Sequence, residues 1–119
     1  GVKELKGTDY RVLSDRIEAG TFLIASAITR SPIEVEKVDR EYLGAVCEIL
    51  DKIGCRIRFE NGGCRIEPSD TILPCDLTTL PYPGFPTDLQ AQCMAMLALT
   101  DGISVITEKI YPDRFMHVE

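Results

Sequence analysis

Between Ile33 and Glu67 the hydrophobic period switches from two to 3.6 and back to two, which restricts the chain to a mixed helix–strand architecture. Ile33-Glu34-Val35-Glu36-Lys37-Val38 alternates apolar and polar residues, the pattern of a half-buried strand. Asp39 then stands at an N-cap position. Leu43, Val46, Cys47, Leu50 and Ile53 recur at i, i+3, i+4, i+7 and i+10, one apolar stripe of an amphipathic helix that Gly54 stops. Cys55-Arg56-Ile57-Arg58-Phe59-Glu60 alternates again. Asn61-Gly62-Gly63 supplies residues that accept positive φ, and Cys64-Arg65-Ile66-Glu67 returns as the second arm of an antiparallel hairpin.

The residues before this stretch extend the order. Tyr10-Arg11-Val12-Leu13 is expected as a short strand. Asp15, with Glu18 three residues on, is expected to cap a helix from Arg16 to Thr29 that carries Ile17, Phe22, Ile24, Ala25 and Ile28. Gly20 costs a helix about 1 kcal/mol relative to alanine, so it is expected where a side chain would not fit. Residues 10–67 thus read β-α-β-α-β-β, an α+β unit with both helices on one face of the sheet. Pro68-Ser69-Asp70 closes this first unit, residues 1–70.

Residues 71–119 begin the order again and reach only β-α-β. Cys75 to Thr79 is a strand candidate, and Ile103 to Ile110 is a strongly β-prone one. Between them Pro81, Pro83, Gly84 and Pro86 make a stiff, non-helical elbow. Thr87 followed by Gln90 reads as a capping box, with Thr87 as N-cap and a helix from Asp88 to Thr100 whose inner side carries Leu89, Cys93, Met96 and Leu97. Asp88 has two readings at this stage. It neutralises the positive end of a helix, worth about 0.3–1 kcal/mol, or it is a carboxylate aimed by a rigid elbow.

Composition narrows the function. The chain has 119 residues with a net charge of −6 and a pI near 4.8. No basic cluster exists to release counterions, which argues against nucleic acid or an anionic membrane as partner. No apolar run approaches the roughly 18–20 residues of a membrane span. No basic segment leads into an apolar one, so no secretory signal is visible, and the cysteine usage makes a cytoplasmic location the expectation. The five cysteines are odd in number and form no C-x-x-C pair, the pattern of reduced thiols rather than a disulfide framework or zinc site. With His117 as the single histidine, neither a metal centre nor a histidine-assisted nucleophile is expected.

Three blocks add more. They are Tyr10 to Leu13 with Asp15 to Phe22; Pro81-Tyr82-Pro83-Gly84-Phe85-Pro86-Thr87-Asp88-Leu89-Gln90-Ala91-Gln92; and Val105 to Glu108 with Arg114-Phe115-Met116-His117-Val118. In order and separation they resemble the UDP-N-acetylglucosamine 1-carboxyvinyltransferases, enolpyruvyl transferases of the MurA type. The resemblance covers nearly the whole chain. It implies the inside-out α/β barrel of that family, with one complete βαβαββ unit (1–70) and the proline elbow with the first βαβ of the next (71–119), both from the second domain. It implies a parent that moves enolpyruvate from phosphoenolpyruvate to the 3-hydroxyl of UDP-N-acetylglucosamine, releasing phosphate, in peptidoglycan synthesis. No cofactor is implied.

By this resemblance Asp88 matches the aspartate that accepts the sugar hydroxyl proton, and Ile110 a position that contacts the sugar nucleotide. Arg114 matches the R-F-M-H block and is a candidate helper on the anion side. Pro112-Asp113 departs from the family's usual Glu-Asn. The family's N-terminal lysine and asparagine, its mobile loop with a reactive cysteine and its phosphoenolpyruvate-binding arginines do not occur in these residues, so this piece alone is expected to be inactive. Two alternatives stand beside this reading: a non-enzymatic binding module with the same fold, and a piece of a 5-enolpyruvylshikimate-3-phosphate synthase-like enzyme. A free strand edge also makes an edge-to-edge dimer an expectation.

Overall fold

The computed structural model describes residues 1–118. In chain order the elements are α1 (Arg16–Thr29), β1 (Ile33–Glu36), α2 (Arg40–Lys52), β2 (Arg56–Glu60), β3 (Gly63–Glu67), β4 (Leu77–Thr78), a 3₁₀ turn (Thr87–Leu89), α3 (Gln90–Leu97), β5 (Ile106–Thr107) and a second 3₁₀ turn (Met116–Val118). The fold is α+β.

Local chemistry accounts for the first half. Asp15 caps α1, its Oδ1 accepting from Ile17 N at 2.7 Å and Glu18 N at 3.2 Å. At its other end α1 closes on Arg30 in the left-handed region, φ 53°. The hairpin turns on Asn61 and Gly62, φ 52° and 75°, the two positive angles that a tight two-residue turn requires. That turn sets the register Glu60↔Gly63, Phe59↔Cys64, Ile57↔Ile66. β1 joins the other side of β3, with Ile33↔Ile66 and Val35↔Cys64. One antiparallel sheet of order β1-β3-β2 results. Its apolar face gathers Ile33, Val35, Ile57, Phe59, Cys64 and Ile66, and α1 and α2 pack on it. Asp39 precedes α2 in extended geometry, but its side chain makes no capping hydrogen bond.

The second half repeats the theme in parallel form. β4 and β5 pair in register Leu77↔Ile106 and Thr78↔Thr107, with Leu77 N donating to Val105 O at 2.9 Å and Thr79 N to Thr107 O at 3.0 Å. The elbow and α3 form the crossover between them. Leu89, Cys93, Met96 and Leu97 are all buried, joining Leu23, Ile24, Leu43, Leu50 and Ile66 in one hydrophobic core.

Four expectations differ from what is found. Tyr10–Leu13 forms no strand: Tyr10 and Val12 are 74% and 82% exposed. Extended backbone becomes a strand only beside an edge that accepts its hydrogen bonds, and among the described residues none pairs with it. Within α1 the core takes Leu23 rather than Phe22, which is exposed. The last helix is shorter than expected and is entered through a 3₁₀ turn that contains Asp88. The strand expected from Ile103 to Ile110 is a ladder only at Ile106–Thr107, because β4 offers just two partners.

Candidate active site

The proline elbow is a closed loop. Leu80 N donates to Phe85 O at 2.9 Å, and Gly84 N donates to Pro81 O at 2.8 Å. A Cβ on Gly84 would lie 2.5 Å from the Leu80 Cβ, so the loop closes only around glycine. Phe85 anchors it in the core. Just beyond, Leu89 rests on α1 at Gly20, where a Cβ would come within 2.5 Å of the Leu89 Cδ1. Gln92 Nε2 donates across to Thr21 Oγ1 of the same helix at 3.3 Å. The most distinctive stretch of sequence is therefore a junction, fixed to α1 on one side and to the β4–β5 pair on the other.

Thr87 does not cap a helix. Its hydroxyl donates to Glu108 Oε2 at 2.8 Å, and the residue preceding the 3₁₀ turn is Pro86. A carboxylate is a stronger acceptor than the alternatives open to a hydroxyl, and the fold brings this one within reach. Glu108 is 9% exposed and accepts three further hydrogen bonds: Thr79 Oγ1 at 2.6 Å, Ile110 N at 2.7 Å and Tyr111 N at 3.0 Å. Burial pushes its carboxyl upward, but the hydrogen bonds to its ionised form outweigh that and bring it down to about 2.

Asp88 stands on the exposed side of the same turn. Its Oδ1 accepts from Arg114 Nη1 at 2.7 Å, and that nitrogen also donates to Thr87 Oγ1 at 3.2 Å. Gln90 Nε2 donates to the Arg114 carbonyl at 3.2 Å, holding the backbone that carries the guanidinium. Arg114 and Tyr111 also meet through the 2.9 Å bond from Arg114 N to Tyr111 O, and the guanidinium sits 5.9 Å from the Tyr111 ring centre. The structure thus pairs Asp88 with Arg114. Ile110 is tied to them through Glu108, which receives both its N–H and the Thr87 hydroxyl.

Glu108 was not singled out for a role by sequence. One signal was available. Period two through Ile103–Ile110 puts Glu108 on the same strand face as Ile106 and Ile110, and a carboxylate on an inward face needs donors.

Other features carry less chemistry. A concavity of about 690 Å³ lies between residues 11–14, α1 and β1 and includes neither Asp88 nor Arg114. Its Asp15 is committed to the α1 cap. All five cysteines are free thiols. Burial pushes Cys93 up to about 12 and Cys47 up to about 11, so both are protonated at neutral pH and poor nucleophiles.

Residues 1–119 match the family model described as EPSP synthase (3-phosphoshikimate 1-carboxyvinyltransferase). The chain belongs to that family. Within it, UDP-N-acetylglucosamine 1-carboxyvinyltransferase of Parasynechococcus marenigrum (strain WH8102) is 55% identical over 119 residues, covering 99% of this chain and 27% of that protein. UDP-N-acetylglucosamine 1-carboxyvinyltransferase 1 of Caldanaerobacter subterraneus subsp. tengcongensis is 48% identical over 118 residues, covering 99% and 28%. Among solved structures, the enolpyruvyl transferase NikO from Streptomyces tendae matches with a TM-score of 0.79 at 22% identity, over 90% of this chain and 26% of that one. That likeness shows the family fold. The chain spans just over a quarter of the length of these curated relatives.

Proposed function

We propose that this chain is a segment of a UDP-N-acetylglucosamine 1-carboxyvinyltransferase, with residues 1–70 and 71–119 as successive units of one of its domains. The observation that carries the reading is the Asp88–Arg114 pair, presented at the elbow of a chain 45–55% identical from end to end to enzymes of that name. Arg114 occupies Oδ1 of Asp88, and Oδ2 has no partner among the described residues. Oδ2 is the atom that takes the proton from the sugar 3-hydroxyl. The sugar oxygen then bonds to C2 of phosphoenolpyruvate as its C3 gains a proton. Loss of phosphate and of a C3 proton restores the double bond. Ile110 contacts the sugar nucleotide. Arg114 steadies the carboxylate and adds positive charge on the side where phosphate develops.

The relatives favour the sugar nucleotide over shikimate phosphate as acceptor, since those at 45–55% identity carry the former name. A cytoplasmic setting follows from such substrates. The structure adds that no described helix is long and apolar enough to cross a membrane. The remaining walls of the cleft lie in parts of the parent outside these residues, so the isolated segment binds the sugar nucleotide weakly or not at all and turns nothing over. Among the described residues the edges of its three-stranded sheet, β1 and β2, are unpaired, which is what an edge-to-edge dimer of the segment would use.

The test is Asp88→Asn in the full-length parent. Phosphate release is expected to fall by about 10²–10⁴ with an unchanged circular dichroism spectrum. Turnover near that of the unaltered enzyme would remove Asp88 from the mechanism.

A further inference from the structure

A threonine hydroxyl has one proton to give, and the structure shows where that of Thr87 goes. Its oxygen lies 2.8 Å from Glu108 Oε2, a carboxylate that can only accept, and 3.2 Å from Arg114 Nη1, which can only donate. The direction is therefore set: Arg114 N–H to Thr87 oxygen, Thr87 O–H to Glu108. The second hydrogen of the same Nη1 goes to Asp88 Oδ1 at 2.7 Å. Glu108 cannot swing away, because Thr79 Oγ1 and the Ile110 and Tyr111 N–H groups hold its other oxygen. Its depressed carboxyl keeps it an acceptor across the neutral range. We propose that Glu108 is a positioning residue that aims the Asp88 carboxylate, acting through Thr87 and Arg114. The inference rests on the reading of Asp88 as the proton acceptor.

Glu108→Gln is a specific disturbance. The amide keeps an oxygen for the Thr79, Ile110 and Tyr111 donors and sets an N–H against Thr87. The hydroxyl oxygen can still accept from Arg114, but its own proton loses the carboxylate that fixed its direction. Thr87→Val removes the relay without changing the size of the side chain, whereas Thr87→Ser keeps it. In the full-length parent, with phosphoenolpyruvate and UDP-N-acetylglucosamine, Glu108→Gln and Thr87→Val are each expected to lower kcat by about 10–100-fold, with both KM values within about threefold. Thr87→Ser stays within about threefold of the unaltered enzyme, and the Glu108→Gln/Thr87→Val double variant is no slower than the worse single one.

Equal kcat for Thr87→Val and Thr87→Ser overturns the proposal, as does a double variant whose losses multiply, or a loss carried wholly by KM. If Glu108→Gln does not fold, the Thr87 pair decides by itself. Asp88→Asn in the same assay separates the two claims. If it leaves turnover intact, the base and the positioning role both fall. If it lowers turnover while Thr87→Val leaves kcat unchanged, the positioning role alone is wrong.

Discussion

Four donors converge on the Glu108 carboxylate, and the balance between them and burial makes it an acid-sensitive point of the described residues. Its carboxyl lies near 2 in the fold against an ordinary value of 4.5. At pH above the ordinary value the group is ionised whether the chain is folded or not, and its contribution to stability is fully present. As pH falls below that value the unfolded chain takes up the proton first, and the contribution is lost progressively down to the folded value. Urea unfolding midpoints are therefore expected to drop between about pH 5 and pH 2, with Glu108→Gln flattening that drop. An unchanged acid slope in the variant would place the sensitivity elsewhere. The Asp88–Arg114 pair behaves differently. Its side chains are 56% and 37% exposed, so it contributes little to stability.

Helix α1 buries several small residues, and at Gly20 it takes the side chain of Leu89 from the 3₁₀ turn that precedes α3. Ala19, Gly20, Ser26 and Ala27 line its buried side, with Leu23 and Ile24 filling the space between. Leu89 is fully buried against Gly20 and so cannot swing aside. Gly20→Val is therefore expected to destabilise the fold by about 1–3 kcal/mol through overpacking, read as a lower denaturant midpoint. Leu89 follows Asp88 in the chain, so the same variant in the parent should also reduce turnover. A variant as stable and active as the original would show that the helices separate freely at this point. Signals that act within a few residues were legible in sequence at this scale. The Asp15 cap and the Asn61-Gly62 turn both form where they were read. That Thr87 would give up the cap read for it was not legible, because its competitor Glu108 is 21 residues away. Leu23 displaced Phe22 for a similar reason: α1 has to serve the sheet, α2 and α3 together, and spacing within one helix does not reveal which neighbours it will have.

At the scale of the molecule the chain is a slab of 60 × 37 × 20 Å with a radius of gyration of 16.5 Å, against roughly 13–14 Å for a compact domain of this length. Residues 1–9 make no part of the core. They are exposed throughout, and among the described residues their one side-chain hydrogen bond joins neighbours, Thr8 to Asp9. Deleting them is expected to move the melting temperature by less than about 2 °C, since no buried contact is lost. A larger fall would mean that this lead-in packs on the body.

Alternation, helical spacing and turn chemistry specified the α+β class, the bounds of α1 and the antiparallel hairpin without help. The P-Y-P-G-F-P-T-D-L-Q-A-Q block was distinctive enough to point to the family. What only the tertiary structure decided is which distant groups meet: Asp88 with Arg114 across 26 residues, Thr79 and Thr87 on Glu108, and the absence of a ladder partner for Tyr10–Leu13. The reason is physical. A cap or tight turn forms within one short stretch of backbone, whereas a buried carboxylate takes its donors from whatever chain the packed core brings beside it.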